Sequence, residues 1–243
     1  MTNENRCIVI FVRYPEKGAV KSRLAPVLGE KLVVSLYEAF VRDLLATLEK
    51  SGYPFRIAYT PEGQAEGIFR CFGRYDGFPQ AGADLGERME NAFQRCFSDG
   101  FGSVLLIGSD IPDLPQEIFA EAFAALDTHD AVIGPAADGG YYLIGFRREA
   151  FAPAAFAGVS WGTGTVFAET MARLECSGAS VHRLPLWRDV DTPEDLMDLV
   201  RRHRDTPFAR SRTIACLAEK EMADQECNSP RTLKEERHPF VKK

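Results

Sequence analysis

The sequence predicts a three-layer α/β/α fold with a mixed, mostly parallel sheet. Short apolar runs alternate along the chain with longer segments whose apolar residues recur at helical spacing. This alternation of strand and helix is typical of parallel strands joined by crossover helices. A chain of 243 residues is long enough to bury one well-packed core without disulfides or metals. We expect one domain over residues 1–205 and a charged C-terminal tail over 206–243.

The first half of the chain contains three predicted strands and the helices that connect them. Apolar, β-prone runs predict strands over 7–14, 55–60 and 103–107. Helical spacing of large apolar residues predicts helices over 29–50, 61–72 and 84–96. The last of these helices begins at Asp84, which together with Glu87 has the spacing of a capping box.

The second half predicts that the sheet is mixed rather than purely parallel. Strands are predicted over 131–135, 141–146 and 181–187, and helices over 117–126, 165–176 and 192–203. The strands 131–135 and 141–146 are close in sequence, so they form a hairpin or widen the sheet with an antiparallel member. In the tail, Ile214, Leu217, Ala218 and Met222 allow one docked helix, and a solvated tail is the alternative.

Composition excludes several classes of protein. A formal net charge of -6 and a pI near 5.4 argue against a general nucleic-acid binder, which needs clustered Lys and Arg. The six cysteines and four histidines lack zinc-site spacing, so a structural zinc ion and a disulfide framework are not expected. The apolar run 7–12 is too short for a signal peptide or a membrane span. We therefore expect a cytoplasmic protein with reduced thiols, and its oligomeric state is left open.

Two acidic segments follow predicted strands. Asp110 comes directly after the run 103–107, and Asp189 and Asp191 follow the strand 181–187. Ligands in open α/β sheets bind beyond the carboxyl ends of the strands, so these carboxylates are expected to face a cleft. A turn and a helix cap are the ordinary alternatives. Thr192 already supplies the cap of the next helix, which favours a functional role for the acidic pair.

The two segments together predict a metal site. If Asp110 and Asp191 approach to about 5 Å, their repulsion at an effective dielectric near 20 is about 3 kcal/mol, which a marginally stable fold has to offset. A divalent cation would offset it. Oxygen ligands without His or Cys favour Mg²⁺ or Mn²⁺, which bind one or two carboxylates together with substrate phosphates.

The first loop after a strand supplies candidate phosphate ligands. It reads Pro-Glu-Lys-Gly-Ala-Val-Lys-Ser-Arg-Leu over residues 15–24. In an extended backbone, Lys21 and Arg23 project from the same side and form a clamp that suits a diphosphate. The alternative is that both are solvated loop cations. Gln80 has no local structural explanation, and we assign it to the same nucleotide-binding group.

A glycine-rich segment and a tryptophan complete the candidate residues. Asp138 precedes Gly139, Gly140 and Tyr141, and glycines allow a ligand to approach the backbone closely. Asp138 is the candidate catalytic base, although a hairpin turn explains the same residues. Trp161 precedes a helix and is a candidate for stacking on a sugar or base, with burial in the core as the alternative. We assign Gly139, Gly140, Tyr141 and Trp161 to the donor or acceptor pocket.

In order, these segments resemble bacterial glycosyltransferase-like proteins known as radical SAM/selenodomain-associated transferases, of the nucleotide-diphospho-sugar transferase (GT-A) superfamily. The resemblance covers residues 7 to about 200 and rests on the loop 15–24, Gln80 with 84–89, 108–114, 138–142, Trp161 and 189–192. It implies a Rossmann-like GT-A domain in which the nucleotide lies over the first loop and Asp110 binds the metal. The chain departs from the usual D-x-D motif, because Asp113 stands three residues after Asp110. The Lys-Ser-Arg-Leu loop also resembles that of guanylyltransferases that act on phospholactate.

The sequence therefore allows three functions. The leading hypothesis is a metal-dependent transferase that moves a glycosyl group from a nucleotide-diphospho-sugar. The second is nucleotidyl transfer, in which a phosphorylated small molecule reacts with a nucleoside triphosphate and pyrophosphate leaves. The third is a nucleotide-binding module without turnover. The expected partner is thus a small nucleotide substrate rather than a nucleic acid or a membrane.

Overall fold

One sheet organises the fold and determines where the functional side chains meet. The computed structural model describes residues 5–218. The strands in this range are β1 Arg6–Arg13, β2 Phe55–Thr60, β3 Gly77–Pro79, β4 Ser103–Ile107, β5 Ala131–Pro135, β6 Tyr141–Arg147 and β7 Val181–Arg183. The helices are α1 Ala25–Leu28, α2 Glu30–Ser51, α3 Ala65–Phe72, α4 Leu85–Ser98, α5 Gln116–Ala125, α6 Val166–Cys176, α7 Pro193–Arg202 and α8 over 212–218.

The strand order is β3-β2-β1-β4-β6-β5-β7. Strands β1 to β4 are parallel to one another, and β7 is parallel to β5. Strand β6 is antiparallel to both β4 and β5. Both expectations for 131–135 and 141–146 are therefore confirmed: β5 and β6 pair as a hairpin, and β6 is the antiparallel member of a mostly parallel sheet.

Helices cover both faces of the sheet, as the predicted three layers require. Alternate residues of β1 separate into two cores: Ile8 and Ile10 pack with α2, α3 and α5, whereas Cys7 and Val9 pack with α4 and α6. These strand residues are fully buried. Such two-sided burial explains why β1 and β4 are continuous apolar runs in the sequence.

Two strands differ from the sequence prediction. Strand β3 was not predicted, because its three residues, Gly-Phe-Pro, include two that disfavour strands. It exists through pairing with β2, from Ile57 opposite Gly77 to Tyr59 opposite Pro79. The strand predicted over 181–187 is shorter than expected, since β7 ends at Arg183 and beyond it only Trp187 bridges to Ala136.

Part of the C-terminal tail docks as helix α8. The backbone N–H groups of Arg212 and Thr213 donate to the two carboxylate oxygens of Asp43 at 3.0 and 2.8 Å. These bonds satisfy donors that every helix N-terminus leaves free. Leu217 packs against an apolar cluster formed by α1, α2 and α7. The docked helix is thus confirmed from 212 to 218, and Met222 lies outside the described residues.

The helices of residues 5–218 do not include one with the length and hydrophobicity needed to span a bilayer. The cysteines of this part of the chain are free thiols, and Cys7 and Cys96 are buried as small apolar side chains.

Candidate functional site

A cleft opens at the carboxyl ends of β1, β2 and β4. Its volume is about 370 Å³. Strand β6 runs antiparallel to β4, so the start of β6 lies at the same edge and contributes Tyr141 and Tyr142. The other polar or charged residues that line it are Arg13, Lys21, Tyr37, Thr60, Gln80, Arg88, Ser109, Asp110 and Asp191. The position agrees with the rule that open α/β sheets bind ligands beyond their strand ends.

Asp110 and Asp191 meet in this cleft, as the sequence predicts. A backbone hydrogen bond from Val190 N–H to the Asp110 carbonyl, 2.9 Å long, fixes the two segments side by side. The Nζ atom of Lys21 lies 2.6 Å from Oδ1 of Asp110 and 2.7 Å from Oδ1 of Asp191. One ammonium group therefore bridges both carboxylates, and each carboxylate keeps about two fifths of its side chain exposed, 44% and 42%.

The loop that carries Lys21 is not extended. Lys21 has a φ of 45°, in the left-handed region. Its carbonyl accepts a hydrogen bond from Leu24 N–H at 2.9 Å, which closes a turn. The expected same-side clamp is therefore wrong in its geometry: Lys21 turns into the cleft, with 4% of its side chain exposed, whereas Arg23 is exposed and outside the cleft lining.

Burial and the carboxylates of the cleft shift the pKa of Lys21 and of Asp189, which lies outside the cleft lining. Burial alone would lower the pKa of Lys21, but the charges of Asp110 and Asp191 and the hydrogen bonds to them raise it above its usual value. Burial, together with the charges of Asp138, Asp191 and Asp110, raises the pKa of Asp189 to about 6. Two carboxylates of the cleft thus share one buried ammonium group, and further negative charge lies beside them at Asp189 and Asp138.

A buried tyrosine supports the segment that carries Asp110. The hydroxyl of Tyr37 accepts the backbone N–H of Arg13 at 3.0 Å and hydrogen-bonds the hydroxyl of Ser109 at 2.9 Å. Tyr37 therefore ties the end of β1 to the residue before Asp110. Tyr37 was not selected from the sequence, and nothing in the local sequence indicated this contact.

Asp113 has a structural environment that differs from that of Asp110. Its side chain is fully buried, at 0% exposure. It accepts hydrogen bonds from Trp187 Nε1 at 3.1 Å and Arg202 Nη1 at 2.9 Å, and it lies 2.8 Å from His203 Nε2. This carboxylate holds the loop after β4 against α7, so it is not free to bind a ligand.

Gln80 and Tyr141 line the cleft as expected. The side-chain amide of Gln80 donates to the Ala58 carbonyl at 2.8 Å, and its backbone N–H donates to the Tyr59 carbonyl at 2.8 Å. These bonds supply the structural explanation that the local sequence did not offer. They fix Gln80 beside the carboxyl end of β2.

Besides Arg23, four predicted residues lie outside the cleft lining, namely Asp138, Gly139, Gly140 and Trp161. Asp138 is exposed, and its Oδ1 accepts Gly140 N–H at 2.8 Å. A Cβ atom on Gly139 would lie 2.1 Å from the Gly164 carbonyl oxygen, so this glycine allows close packing of two loops. Gly86 allows a second close contact, because the indole of Trp161 packs on it. A Cβ atom on Gly86 would lie 2.8 Å from Cζ2 of Trp161.

Sequence reasoning did not select three other residues of the cleft. Arg13 and Arg88 line it, and within residues 5–218 neither forms an ion pair with a carboxylate. Leu85 is 44% exposed although its spacing predicted a core position. Their positions in the sequence could have indicated the cleft, because Arg13 ends β1 and Leu85 and Arg88 lie in the first turn of α4.

The carboxylates fit a hard divalent cation. Their Oδ1 atoms converge on one point, and Mg²⁺ or Mn²⁺ commonly takes one or two carboxylates, with substrate phosphates and water completing the shell. Within residues 5–218, no cluster of three or more His, Cys, Asp or Glu could hold a metal ion without such help. The donor set therefore fits a metal that binds together with a phosphorylated substrate.

Comparison with known proteins places the fold in the class of nucleotide-diphospho-sugar transferases and nucleotidyltransferases. A crystal structure from Desulfovibrio desulfuricans G20, described as a "putative nucleotide-diphospho-sugar transferase", is 41% identical, with a TM-score of 0.86 over 92% of this chain and 98% of that chain. The family model described as "Uncharacterized protein conserved in bacteria (DUF2064)" matches residues 44–163. The chain belongs to the same family as the 41% identical Desulfovibrio desulfuricans protein.

More distant structures share the fold alone. The 4-diphosphocytidyl-2C-methyl-D-erythritol synthase of Anaerococcus prevotii DSM 20548 is 12% identical, with a TM-score of 0.55 over 84% of this chain and 100% of that chain. Rv0371C of Mycobacterium tuberculosis H37Rv, in a complex with manganese, is 15% identical, with a TM-score of 0.51 over 82% and 100%. No curated protein matched the chain.

Proposed function

We propose that the protein is a metal-dependent transferase that moves a glycosyl group from a nucleotide-diphospho-sugar to an acceptor. The observation that carries this proposal is the convergence of Asp110 and Asp191 on one point beside Lys21. These residues come from three separate segments and meet where this fold class binds ligands. The 41% identical relative described as a nucleotide-diphospho-sugar transferase supports the donor class, and so does the resemblance to the radical SAM/selenodomain-associated transferases.

In this proposal each carboxylate of the cleft binds the cation. Asp110 and Asp191 would hold Mg²⁺ or Mn²⁺, and a cation bound there would neutralise the charge that develops on the departing diphosphate. Lys21 would hold a phosphate oxygen of the donor. Arg23 stays a proposed phosphate ligand only if its exposed side chain moves towards the cleft.

The transfer itself requires one bond to form and one to break. An acceptor hydroxyl oxygen bonds to the anomeric carbon of the sugar as the bond from that carbon to the diphosphate oxygen breaks. The nucleoside diphosphate leaves with the electron pair, and the acceptor proton passes to a carboxylate. Asp138 is the proposed base, because its charge acts on Asp189, which neighbours the proposed metal ligand Asp191.

The nucleotide would lie over the β1–β3 part of the cleft. Gln80 and Tyr141 line the cleft with Arg13 and Arg88, neither of which forms an ion pair within residues 5–218. The exposed Leu85 offers an apolar surface for a base. Gly139, Gly140 and Trp161 then belong to the loops that border an acceptor, rather than to the nucleotide pocket.

The experiment is a binding and turnover screen of the full chain. Nucleoside diphosphates, triphosphates and diphospho-sugars are each added with Mn²⁺ or Mg²⁺, and thermal unfolding is followed, because a ligand at about 100 times its Kd stabilises by about 2.7 kcal/mol. Donors that bind are incubated with pooled acceptors, and nucleoside diphosphate and pyrophosphate are measured separately.

The proposal predicts metal-dependent binding of a diphospho-sugar and release of its nucleoside diphosphate. Asp110→Asn should reduce release by about 100-fold or more. Glu16→Gln is the matched control, because this exposed loop carboxylate is outside the cleft lining. Pyrophosphate release from a triphosphate would instead establish nucleotidyl transfer. Tight nucleotide binding without any product would indicate a binding module, and no binding at all would refute the proposal.

A further inference from the structure

We propose that the ammonium group of Lys21 occupies the metal position in the ligand-free protein, so that a divalent cation and a diphosphate have to bind together. The diphosphate draws Lys21 away from the carboxylates, and the cation takes its place. This inference deepens the proposed function and rests on the same Asp110 and Asp191 site.

The geometry leaves one position for two cations. Nζ of Lys21 lies within hydrogen-bond distance of one oxygen from each carboxylate, at 2.6 and 2.7 Å. A magnesium ion bound by the same two oxygens would lie about 2.1 Å from each. An ammonium group and a metal ion cannot both lie there, because they would overlap and repel. A metal that uses both oxygens must therefore displace Lys21.

The lysine is held in place by these contacts and not by its backbone. A φ of 45° is unfavourable for a residue with a side chain. Its side chain is 4% exposed, and its ammonium also lies 5.9 Å from the centre of the Phe40 ring. Two short ion pairs offset the unfavourable backbone, so release of the ammonium also allows the loop to relax.

The loop around Lys21 has room to change. Glu16, Lys17 and Gly18 are exposed. Gly18 has a φ of 74°, which a glycine adopts at little cost. Val20 and Leu24 are buried on either side of Lys21, so the movement towards a phosphate is one of the Lys21 side chain and its peptide, with these two residues as anchors.

The charges of Asp110, Asp191 and Lys21 predict that a metal ion binds more tightly with a diphosphate than alone. Two carboxylates and one ammonium carry a net charge of about -1, so the internal cation already satisfies much of the attraction that a metal would use. A metal alone competes with it and binds weakly. A diphosphate offers Lys21 a new partner and the metal two more oxygen ligands. By thermodynamic linkage, each ligand must then strengthen the binding of the other by the same factor.

The test measures binding of Mn²⁺ to the full chain by electron paramagnetic resonance, with and without inorganic pyrophosphate. The Mn²⁺–pyrophosphate complex that forms in solution is measured separately and subtracted. Lys21→Met removes the ammonium and keeps most of the side-chain volume. Lys17→Met is the matched control, because it removes the same charge from an exposed position of the same loop.

For Mn²⁺ alone, Lys21→Met should bind at least about tenfold more tightly than the wild type, and Lys17→Met should bind like the wild type. Pyrophosphate should tighten Mn²⁺ binding to the wild type by about tenfold or more, and to Lys21→Met by much less. Equal or weaker binding of Mn²⁺ by a folded Lys21→Met protein would overturn the proposed exchange of the Lys21 ammonium for the metal ion.

A measurement on the wild type covers the case in which Lys21→Met does not fold. With ¹⁵N-lysine labelling, the buried ammonium should give a slowly exchanging NMR signal, assigned by its loss in Lys21→Arg. Mg²⁺ with pyrophosphate should shift or broaden this signal, whereas Mg²⁺ alone should change it little. A signal that the combination leaves unchanged would overturn the exchange.

The two proposals fail in different ways. If Lys21→Met and the wild type bind Mn²⁺ equally, and Asp110→Asn abolishes this binding, the metal site stands and the exchange is wrong. If neither protein binds Mn²⁺ with or without pyrophosphate, the metal site is wrong, and both proposals fall together.

Discussion

Replacement of Asp113 by alanine tests the division of labour between the two acidic residues that follow β4. Asp113 is fully buried and accepts hydrogen bonds from Trp187 and Arg202, with His203 as its third neighbour. Asp113→Ala leaves these polar groups without their shared acceptor. Arg202 keeps an ion pair with Asp198 at 3.0 Å, so its charge is not left wholly unpaired.

The expected cost follows from this geometry. Removal of one partner from a buried ion pair costs about 3–5 kcal/mol, and the remaining Asp198 contact favours the lower end. A loss of about 3 kcal/mol in a chain of this size lowers the Tm by roughly 6–12 °C. Asp198→Ala is the matched control, because it removes a more exposed partner of the same arginine and should cost about 0–1 kcal/mol.

The assay is urea unfolding of both variants and the wild type, followed by circular dichroism, with Mn²⁺ binding measured on the folded proteins. Asp113→Ala should be destabilised and should still bind Mn²⁺ with pyrophosphate. A variant of wild-type stability, or one that is stable but has lost metal binding, would refute the structural role given to Asp113.

Three further predictions concern the cleft and its borders. The pKa of Asp189 is about 6 in the folded protein against an ordinary 3.8, so stability that is present below pH 4 is lost as the pH rises to about 6. Asp189→Asn should avoid this loss and be more stable than the wild type above pH 6 by about 1–2 kcal/mol after allowance for solvent screening. A difference in urea-unfolding free energy between variant and wild type that stays constant from pH 3.5 to 7.5 would contradict this prediction. Tyr37→Phe should cost about 1–3 kcal/mol in urea unfolding, because Arg13 N–H and the buried Ser109 hydroxyl lose their shared partner. Tyr75→Phe removes a hydroxyl that bonds Glu49 at an exposed position and should cost less than about 1 kcal/mol. Equal effects of the two substitutions would argue against the Tyr37 contacts. Gly139→Ala should lower the unfolding free energy by more than about 2 kcal/mol, because its Cβ would lie 2.1 Å from the Gly164 carbonyl oxygen. Gly162 is the matched control, since it has a similar φ of 80° and no atom within 4 Å of the added Cβ, so Gly162→Ala should cost only the backbone strain of about 1 kcal/mol. Similar melting temperatures for the two variants would refute the packing role of Gly139.

The sequence predicted the elements whose burial follows a local pattern. Strand β4 and helix α2 lie where they were expected, because full burial produces an apolar run in one and helical spacing in the other. Strand β3 has no such pattern. Its existence depends on hydrogen bonds with β2, which are contacts between segments distant in sequence.

The meeting of Asp110 with Asp191 was predictable from topology, since both follow strands whose ends share one edge of the sheet. The bridging position of Lys21 was not. A lysine with a φ of 45° is selected by tertiary ion pairs rather than by local preference. The same limit applies to Gly139 and Gly86, because their neighbours at Gly164 and Trp161 are set by the packing of loops.

The most direct test of the account is anomalous diffraction from crystals of the protein grown with Mn²⁺ and an unreactive nucleoside diphosphate analogue. We expect one manganese peak about 2.0–2.3 Å from an oxygen of Asp110 and an oxygen of Asp191. The ammonium of Lys21 should then lie on the diphosphate. A peak held by other residues, or bound diphosphate with Lys21 still bridging both carboxylates and no metal between them, would contradict the account.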